Sequence, residues 1–362
     1  MDKKLIIFIP SIEEGGVEKN LFIVSNYLIK KNVKVEILTC NNNKAKFFDK
    51  KIKFIGTSNN FWHFRSRTIK YLVCIFLLFL NLLKSKSNKL IFAFQANIYA
   101  ILISKIFNAK IIVRANSAPS GWSHNMFKKK IYSFLINLAD DVMVNSIQFK
   151  KDFKKIFNIK TKYIYNPFDK TSIKKNNNKK NLFKKKSLKI LSIGRLTPQK
   201  DHITLLKAAK LINPNLNPEI LIIGKGSEYC NLKNYIKINN LKNIVKLIGY
   251  KKQPYSYIQK SDIFVLTSKY EGLPNVLLEA QYLKKYIIST SCPTGPREIL
   301  LNGRAGDLFD VGNYKKLALL INKYKFNKKN ISIKTRTGLK NFRRFDYFQN
   351  CNKYYNFVSE NF

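Results

Sequence analysis

Two glutamates, Glu271 and Glu279, flank Pro274 in the segment Glu271-Gly-Leu-Pro-Asn-Val-Leu-Leu-Glu279. Proline favours the first helical position, so a helix is expected to start near Pro274. Glu271 then lies in the preceding loop, and Glu279 sits roughly 7–8 Å along the helix axis. Carboxylates spaced this way do not share a proton; they bracket an elongated ligand. Between them the amides of Asn275, Val276 and Leu277 are donors at a helix start, which favours an anion. One acceptor, an anion cradle and a second acceptor suit a sugar, a diphosphate and a ribose in that order. The competing reading is a surface helix that begins with proline and carries ordinary glutamates.

A second cluster runs from Ser192 to His202 and holds Gly194, Arg195 and Lys200. Gly194 closes an apolar run and permits close backbone approach. Arg195 offers a planar fork for phosphate oxygens, and Lys200 a mobile point charge. A departing diphosphate needs such neutralisation. His202 reads as a helix-start or packing residue. Gly15 and Gly16 follow the first apolar run, where a backbone can approach phosphates or a sugar. Gly224 and Gly226 lack the third glycine of a dinucleotide fingerprint, and no GxxxxGK[ST] loop occurs. Thr294-Gly-Pro-Arg-Glu298 follows another strand-like run and should reach the same ligand, although a plain turn is the blander reading.

These residues must be positioned by elements, and the apolar runs supply them. Leu5–Ile9, Val33–Leu38, Leu90–Phe94, Lys110–Val113 and Asp141–Val144 read as buried strands, with helical stretches after Gly16 and over Asn97–Ile106. This βαβ rhythm argues for a parallel sheet covered on both faces. It stops at Asn166-Pro167. Lys170–Lys189 is rich in lysine and asparagine, as a solvated hinge would be, though it could also grip phosphates. The rhythm restarts with strands over Leu188–Ile193, Glu219–Ile223, Ile244–Ile248, Ile263–Leu266 and Tyr286–Ser289, and a helix over Ile203–Leu211. The aromatic stretch Phe345–Phe357 reads as a last helix that packs back on another element. The expected domains are 1–169, a linker 170–187, 188–344, and the segment 345–362. In open α/β sheets ligands sit beyond the carboxyl ends of the strands, where every motif above falls.

Composition bounds the reading. The chain has 362 residues, enough for two domains, with 45% hydrophobic residues, as in a folded protein. Lys plus Arg number 67 against 21 Asp plus Glu, a formal net charge of +46. That field attracts nucleic acid, anionic lipid or phosphorylated substrates, or it is largely compositional in a chain rich in Lys, Asn and Ile. Cys40, Cys74, Cys230, Cys292 and Cys351 have no CxxC spacing, and an odd count suits a reducing compartment. His63, His124 and His202 are far apart, and no zinc site is legible. The N-terminal run ends at Pro10 without a signal-peptide pattern. Tyr71–Leu83 is shorter than the roughly 20 residues that span a bilayer. It reads first as a buried core helix, with a helix lying on the membrane surface as the alternative.

Together the motifs resemble the retaining glycosyltransferase family 4, of GT-B fold. The resemblance rests on Gly15-Gly16-Val-Glu18, Asn145-Ser146, Asn166-Pro167-Phe-Asp169, Gly194-Arg195 with Lys200, Gly224-Lys-Gly226, Gly249-Tyr250, Glu271–Glu279 and Gly295-Pro-Arg-Glu298, and it covers nearly the whole chain. It implies two Rossmann-like domains facing each other across a cleft. It implies that Arg195 and Lys200 bind the donor diphosphate, Glu279 the ribose, and Glu271 lies beside the donor sugar. Gly16, with Gly15, would approach the phosphates, and Gly249-Tyr250 would lie near the base. The family's N-domain histidine is absent: Arg114-Ala-Asn116-Ser117 stands there, so Asn116 or Arg114 would fill its place.

The expected activity is transfer of a hexose or N-acetylhexosamine, with retention, from a nucleotide-diphosphate sugar, UDP-sugars favoured. The acceptor would be a lipid-diphosphate-linked or growing surface glycan of a bacterial lipopolysaccharide or capsule. No cofactor or metal is implied. The expected place is cytoplasmic, peripheral on the inner face of an anionic membrane, with no specific nucleic acid partner. A GT-B epimerase of nucleotide sugars and a nucleic-acid-binding protein are the alternatives.

Overall fold

The computed structural model describes residues 4–12, 15–41, 45, 48–57, 66–84, 89–116, 126–174, 183, 184 and 186–362. Glu13, Glu14, His63, His124, Ser117 and most of the lysine-rich stretch after Lys174 lie outside the described residues. The chain divides into two compact units, Met1–Pro167 with Phe345–Phe362, and Phe168–Arg344.

In the first unit, β1 (Lys4–Phe8), β2 (Lys34–Asn41), β3 (Lys53–Thr57), β4 (Lys89–Ala93), β5 (Lys110–Arg114), β6 (Asp141–Val144) and β7 (Lys162–Tyr163) form one parallel sheet. Its order is β3-β2-β1-β4-β5-β6-β7. β1 lies between β2 and β4, Ile7 opposite both Ile37 and Phe92. A strand in that place is covered on both faces, which is why Leu5 to Ile9 are all apolar and all closed to water. Alternate residues feed two cores. Leu5 and Ile7 meet α1 (Gly16–Lys30) and α14 (Tyr347–Glu360) through Leu21, Val24, Tyr354 and Phe357. Ile6 and Phe8 point to the core shared with α2 (Arg67–Leu83), α3 (Asn97–Ile106), α4 (Met126–Asn137) and α5 (Ile147–Phe157).

The 67–83 stretch departs from the expected core helix. Cys74, Leu78 and Leu82 are buried, but Leu72, Phe76 and Leu83 are largely exposed. The run is apolar on both sides, so composition alone hides which stripe the sheet covers. The last helix also starts later than its aromatic run, at Tyr347. Asp346 caps it, accepting from the Gln349 amide at 3.0 Å.

The second unit holds β8 (Leu188–Ile193), β9 (Pro218–Ile223), β10 (Val245–Gly249), β11 (Ile263–Leu266), β12 (Tyr286–Thr290) and β13 (Asp307–Phe309), all parallel. Their order is β10-β9-β8-β11-β12-β13. Its helices are α6 (Thr171–Lys174), α7 (His202–Ala209), α8 (Tyr229–Ile238), α9 (Tyr255–Lys260), α10 (Asn275–Tyr282), α11 (Gly295–Ile299), α12 (Tyr314–Asn322) and α13 (Lys328–Lys340). In both sheets the strand order reverses beside the first strand of the unit, between β1 and β4 and between β8 and β11. Loops leaving two such strands diverge and open a crevice at their carboxyl ends.

Candidate functional site

In the second unit, the loops after β8 and β11 carry Lys200 and Glu271 to the reversal point. Lys200 Nζ lies 2.5 Å from Glu271 Oε1, with both side chains largely buried. Ser268 Oγ donates to the same oxygen at 2.6 Å. The loops are also stitched through their backbones. The Lys269 amide donates to the Gln199 carbonyl at 2.8 Å, and Gln199 Nε2 to the Tyr270 carbonyl at 2.9 Å. Thr267 Oγ1 donates to the Lys200 carbonyl at 2.8 Å. A carboxylate held by a cation and a hydroxyl keeps its direction. The sequence pointed to each of Lys200 and Glu271 as a ligand group; it did not point to their contact.

Glycines pack this region closely. A Cβ on Gly224 would come 1.8 Å from the Gly194 carbonyl oxygen, so the ends of β8 and β9 touch through backbone alone. A Cβ on Gly295 would come 1.9 Å from the Gly272 oxygen, where the Gly295 amide donates at 2.8 Å. Thr294, just before it, has φ 77° and ψ −121°. A β-branched residue with positive φ is strained. Its hydroxyl donates to the Glu271 carbonyl, and its side chain is closed to water. The loop after β12 is thereby clamped to the loop that carries Glu271.

Helix α10 begins at Asn275 with Pro274 as its cap residue, and no side chain caps it. The helix thus starts near Pro274, as expected, with proline as the cap residue. One expectation is corrected. The Leu277 amide is not available to a ligand, because it donates to the Pro274 carbonyl at 3.0 Å. A tight first turn consumes that donor, leaving the start of α10 narrower as an anion cradle than expected. Glu279 lies in the second turn of α10 and is buried.

Arg195 is exposed on the loop after β8. His202 opens α7, is closed to water, and lies with Nδ1 3.4 Å from Ser192 Oγ. Burial, with Lys200 nearby, pushes its pKa down to about 4, so it is neutral at pH 7 and packs against the strand. Gly249, at φ 75°, ends β10, and Tyr250 follows with the Lys225 ammonium 4.9 Å from its ring centroid. Cys292 is buried after β12, and burial, then the charge of Glu271, raises its thiol pKa to about 12. It stays a protonated, unreactive thiol.

In the first unit, Gly15 precedes α1 in extended backbone and Gly16 opens the helix. A Cβ on Gly15 would lie 2.7 Å from the Glu18 carboxylate, and Gln95, after β4, donates to that carboxylate at 3.2 Å. The reversal between β1 and β4 is thus bridged by side chains, as it is between β8 and β11. Arg114 ends β5 with its guanidinium buried against the Phe94 ring. It donates to the Tyr354 hydroxyl at 3.0 Å, to Asn166 Oδ1 at 2.8 Å and to Asn116 Oδ1. Asn116 in turn donates to the Phe94 carbonyl. Arg114 therefore acts first as a brace for Asn116. Both line a cavity of about 390 Å³ together with Gln95, Asn97, Tyr99 and Tyr132.

Ser268 and Gln95 were not singled out from sequence. Ser268 is a small hydroxyl residue just past a strand, and Gln95 is one amide among many polar side chains. Nothing but the fold distinguishes them.

Residues 173–340 match the family described as glycosyl transferases group 1. An uncharacterised glycosyltransferase of Methanocaldococcus jannaschii is 34% identical over 242 residues, covering 61% of this chain and 59% of that protein. The chain thus spans less than two thirds of that relative. A Campylobacter jejuni enzyme is 29% identical over 332 residues, covering 86% of this chain and 87% of its own. It is named N-acetylgalactosamine-N,N'-diacetylbacillosaminyl-diphospho-undecaprenol 4-alpha-N-acetylgalactosaminyltransferase. Among solved structures, Anabaena HepE in complex with UDP superposes with a TM-score of 0.76 at 19% identity, over 99% of this chain and all of that one. Two Rossmann-like parallel-sheet units with this strand order give the chain a GT-B fold. Within that fold, residues 173–340, just under half of the chain, are similar to the glycosyl transferases group 1.

Proposed function

We propose that the protein transfers a hexose or N-acetylhexosamine, with retention, from a nucleotide-diphosphate sugar to a lipid-diphosphate-linked glycan at an anionic membrane face. UDP is the favoured nucleotide. The observation that carries this reading is the Lys200–Glu271 pair at the β8/β11 reversal, inside the segment that matches the group 1 family. The C. jejuni relative, named for a diphospho-undecaprenol substrate, and the HepE complex with UDP support the acceptor and the donor class.

In this reading Arg195 and Lys200 meet the donor diphosphate and Glu279 accepts from the ribose hydroxyls. Gly249 and Tyr250 border the base, with the amides of Asn275 and Val276 near the phosphates. Glu271 accepts from the donor sugar, its free lone pairs aimed by Lys200 and Ser268. In the first unit Gly15 and Gly16 leave room for a phosphate, and Asn116, braced by Arg114, stands where the family carries a histidine. The sugar–phosphate bond breaks as the acceptor oxygen bonds to the same carbon on the same face. The hydroxyl proton passes to the leaving phosphate oxygen, and the nucleoside diphosphate departs. Charge growing on that oxygen is offset by the two cations, so the reading calls on no metal or cofactor.

A panel of nucleotide sugars with an undecaprenyl-diphosphate-linked acceptor, read by mass spectrometry, tests it. One donor should yield a product heavier by one sugar, undiminished in EDTA. Arg195→Ala should lower turnover by about 100-fold, and Glu279→Ala should raise the donor KM. Full turnover in both variants would remove these residues from the site. Conversion of donor to its epimer without acceptor would replace transfer by epimerisation.

A further inference from the structure

Helices α2, α3 and α4 cover one face of the first sheet, inserting Cys74, Leu78, Ala100, Ile101 and Ile136 into the core beneath. They adjoin one another: the Tyr71 and Tyr99 rings lie 6.2 Å apart, and those of Phe79 and Phe107 5.3 Å apart. Each also carries a second apolar stripe. On α2 it is Leu72, Phe76 and Leu83; on α3, Tyr99, Leu102 and Ile106; on α4, Phe127, Ile131 and Phe134. These side chains are between 41% and 71% exposed. At 100° per residue each set falls on one line, turned away from the buried stripe of its own helix. Isolated exposed apolar residues need no explanation, whereas three aligned triads on adjoining helices form a patch that water disfavours.

The charge around the patch selects its partner. None of the three helices contains Asp or Glu. Lys70, Lys84, Lys105, Lys128, Lys129 and Lys130 lie on or just beyond them, and Lys105 Nζ lies 2.9 Å from Asp140 Oδ2. A second copy of this chain would set the same cations against each other, on molecules of net charge +46. An anionic lipid surface offers the complement: phosphates for the lysines and an acyl boundary for the triads. Among the described residues no helix is long and apolar enough to cross a membrane.

We propose that the outer face of α2, α3 and α4 seats the first unit on an anionic bilayer. The apolar triads enter the acyl boundary and the lysines lie at head-group level. The inference deepens the proposed function and rests on it for the acceptor, not for the surface. Tyr99 belongs to the exposed stripe and also lines the cavity that holds Asn116, as does Tyr132 of α4. A lipid-borne head group therefore reaches that cavity along α3 and α4 without leaving the interface.

Co-sedimentation of the full chain with phosphatidylglycerol vesicles, at about 0.3 M salt to screen long-range charge, tests the surface. Leu72→Ser/Phe76→Ser/Phe127→Ser keeps every charge and should lose partitioning by about tenfold or more, since each side chain forfeits its apolar transfer. Lys128→Gln/Lys130→Gln should weaken binding most at low salt, and pure phosphatidylcholine should retain little protein. Equal partitioning of the triple serine variant and the parent would overturn the proposal. So would a parent that sediments as a dimer in the absence of vesicles while the triple variant is monomeric. UDP titration of the same preparations separates the two readings. Vesicle binding without UDP binding leaves the surface standing and removes the donor assignment, and the reverse removes only the surface.

Discussion

Lys200 and Glu271 meet with little water around either side chain, so each charge depends on the other. Removing one partner strands the second in a poor dielectric, at a cost of about 3–5 kcal/mol. Lys200→Met should lower the stability of the second unit by that order in urea unfolding. Lys200→Met/Glu271→Met should recover part of the loss while remaining inactive. If the single variant unfolds like the parent, the pair is open to solvent and does not aim Glu271. His202 gives a separate residue-scale expectation. Its folded pKa is pushed down to about 4 from the ordinary 6.5. Below pH 6.5 the unfolded chain takes a proton that the folded chain refuses until about pH 4. The neutral histidine's contribution is therefore complete above pH 6.5 and is lost as pH falls through that window, by about 3 kcal/mol at most. His202→Gln should flatten this part of the stability profile between pH 7 and 4.

At the scale of elements, the ends of the strands govern the site. β8 and β9 approach so closely at Gly194 and Gly224 that no side chain fits between them. Gly224→Ala should destabilise the second unit by about 2 kcal/mol or more, through a clash with backbone that cannot turn aside. Circular dichroism melts would register it, and an unchanged melt would mean the strands can part without cost. The interior strands were legible because burial on both faces demands unbroken apolar runs: Asp141–Val144, Leu188–Ile193 and Ile263–Leu266 stand where the runs placed them. Three edge strands, β3, β7 and β13, escaped, since an edge tolerates Lys53, Lys162 and Asp307 and breaks the pattern, whereas the fourth edge, β10, was read from its run Ile244–Ile248. Residues of the candidate site were legible where chemistry is written in residue type, as for Lys200 and Glu271, which the fold brings into contact. The clamp of Thr294 on the Glu271 carbonyl was not, because a strained threonine looks like any other. Nor was the brace on Asn116, which joins positions 114, 166 and 354 through folding alone.

For the whole molecule, the first unit is discontinuous. Residues 345–362 return to it, and Tyr354, Phe357 and Val358 of α14 are integral to the core beside α1. Truncation after Arg344 should therefore unfold or aggregate the first unit, baring Leu21 and Val24, while the second retains its cooperative melt. Limited proteolysis would show a protected fragment near 168–344 and rapid loss of 1–167. Equal protection of both fragments would mean α14 is dispensable.

That discontinuity also orders events on the ribosome. The second unit is encoded in one stretch and can fold as soon as it leaves the exit tunnel. The first is translated earlier yet lacks α14 until residues 345–362 emerge. Throughout that interval Leu21 and Val24 lack the cover of α14, and Arg114 waits for the Tyr354 hydroxyl. The half begun first is thus completed only after the whole second unit has been made.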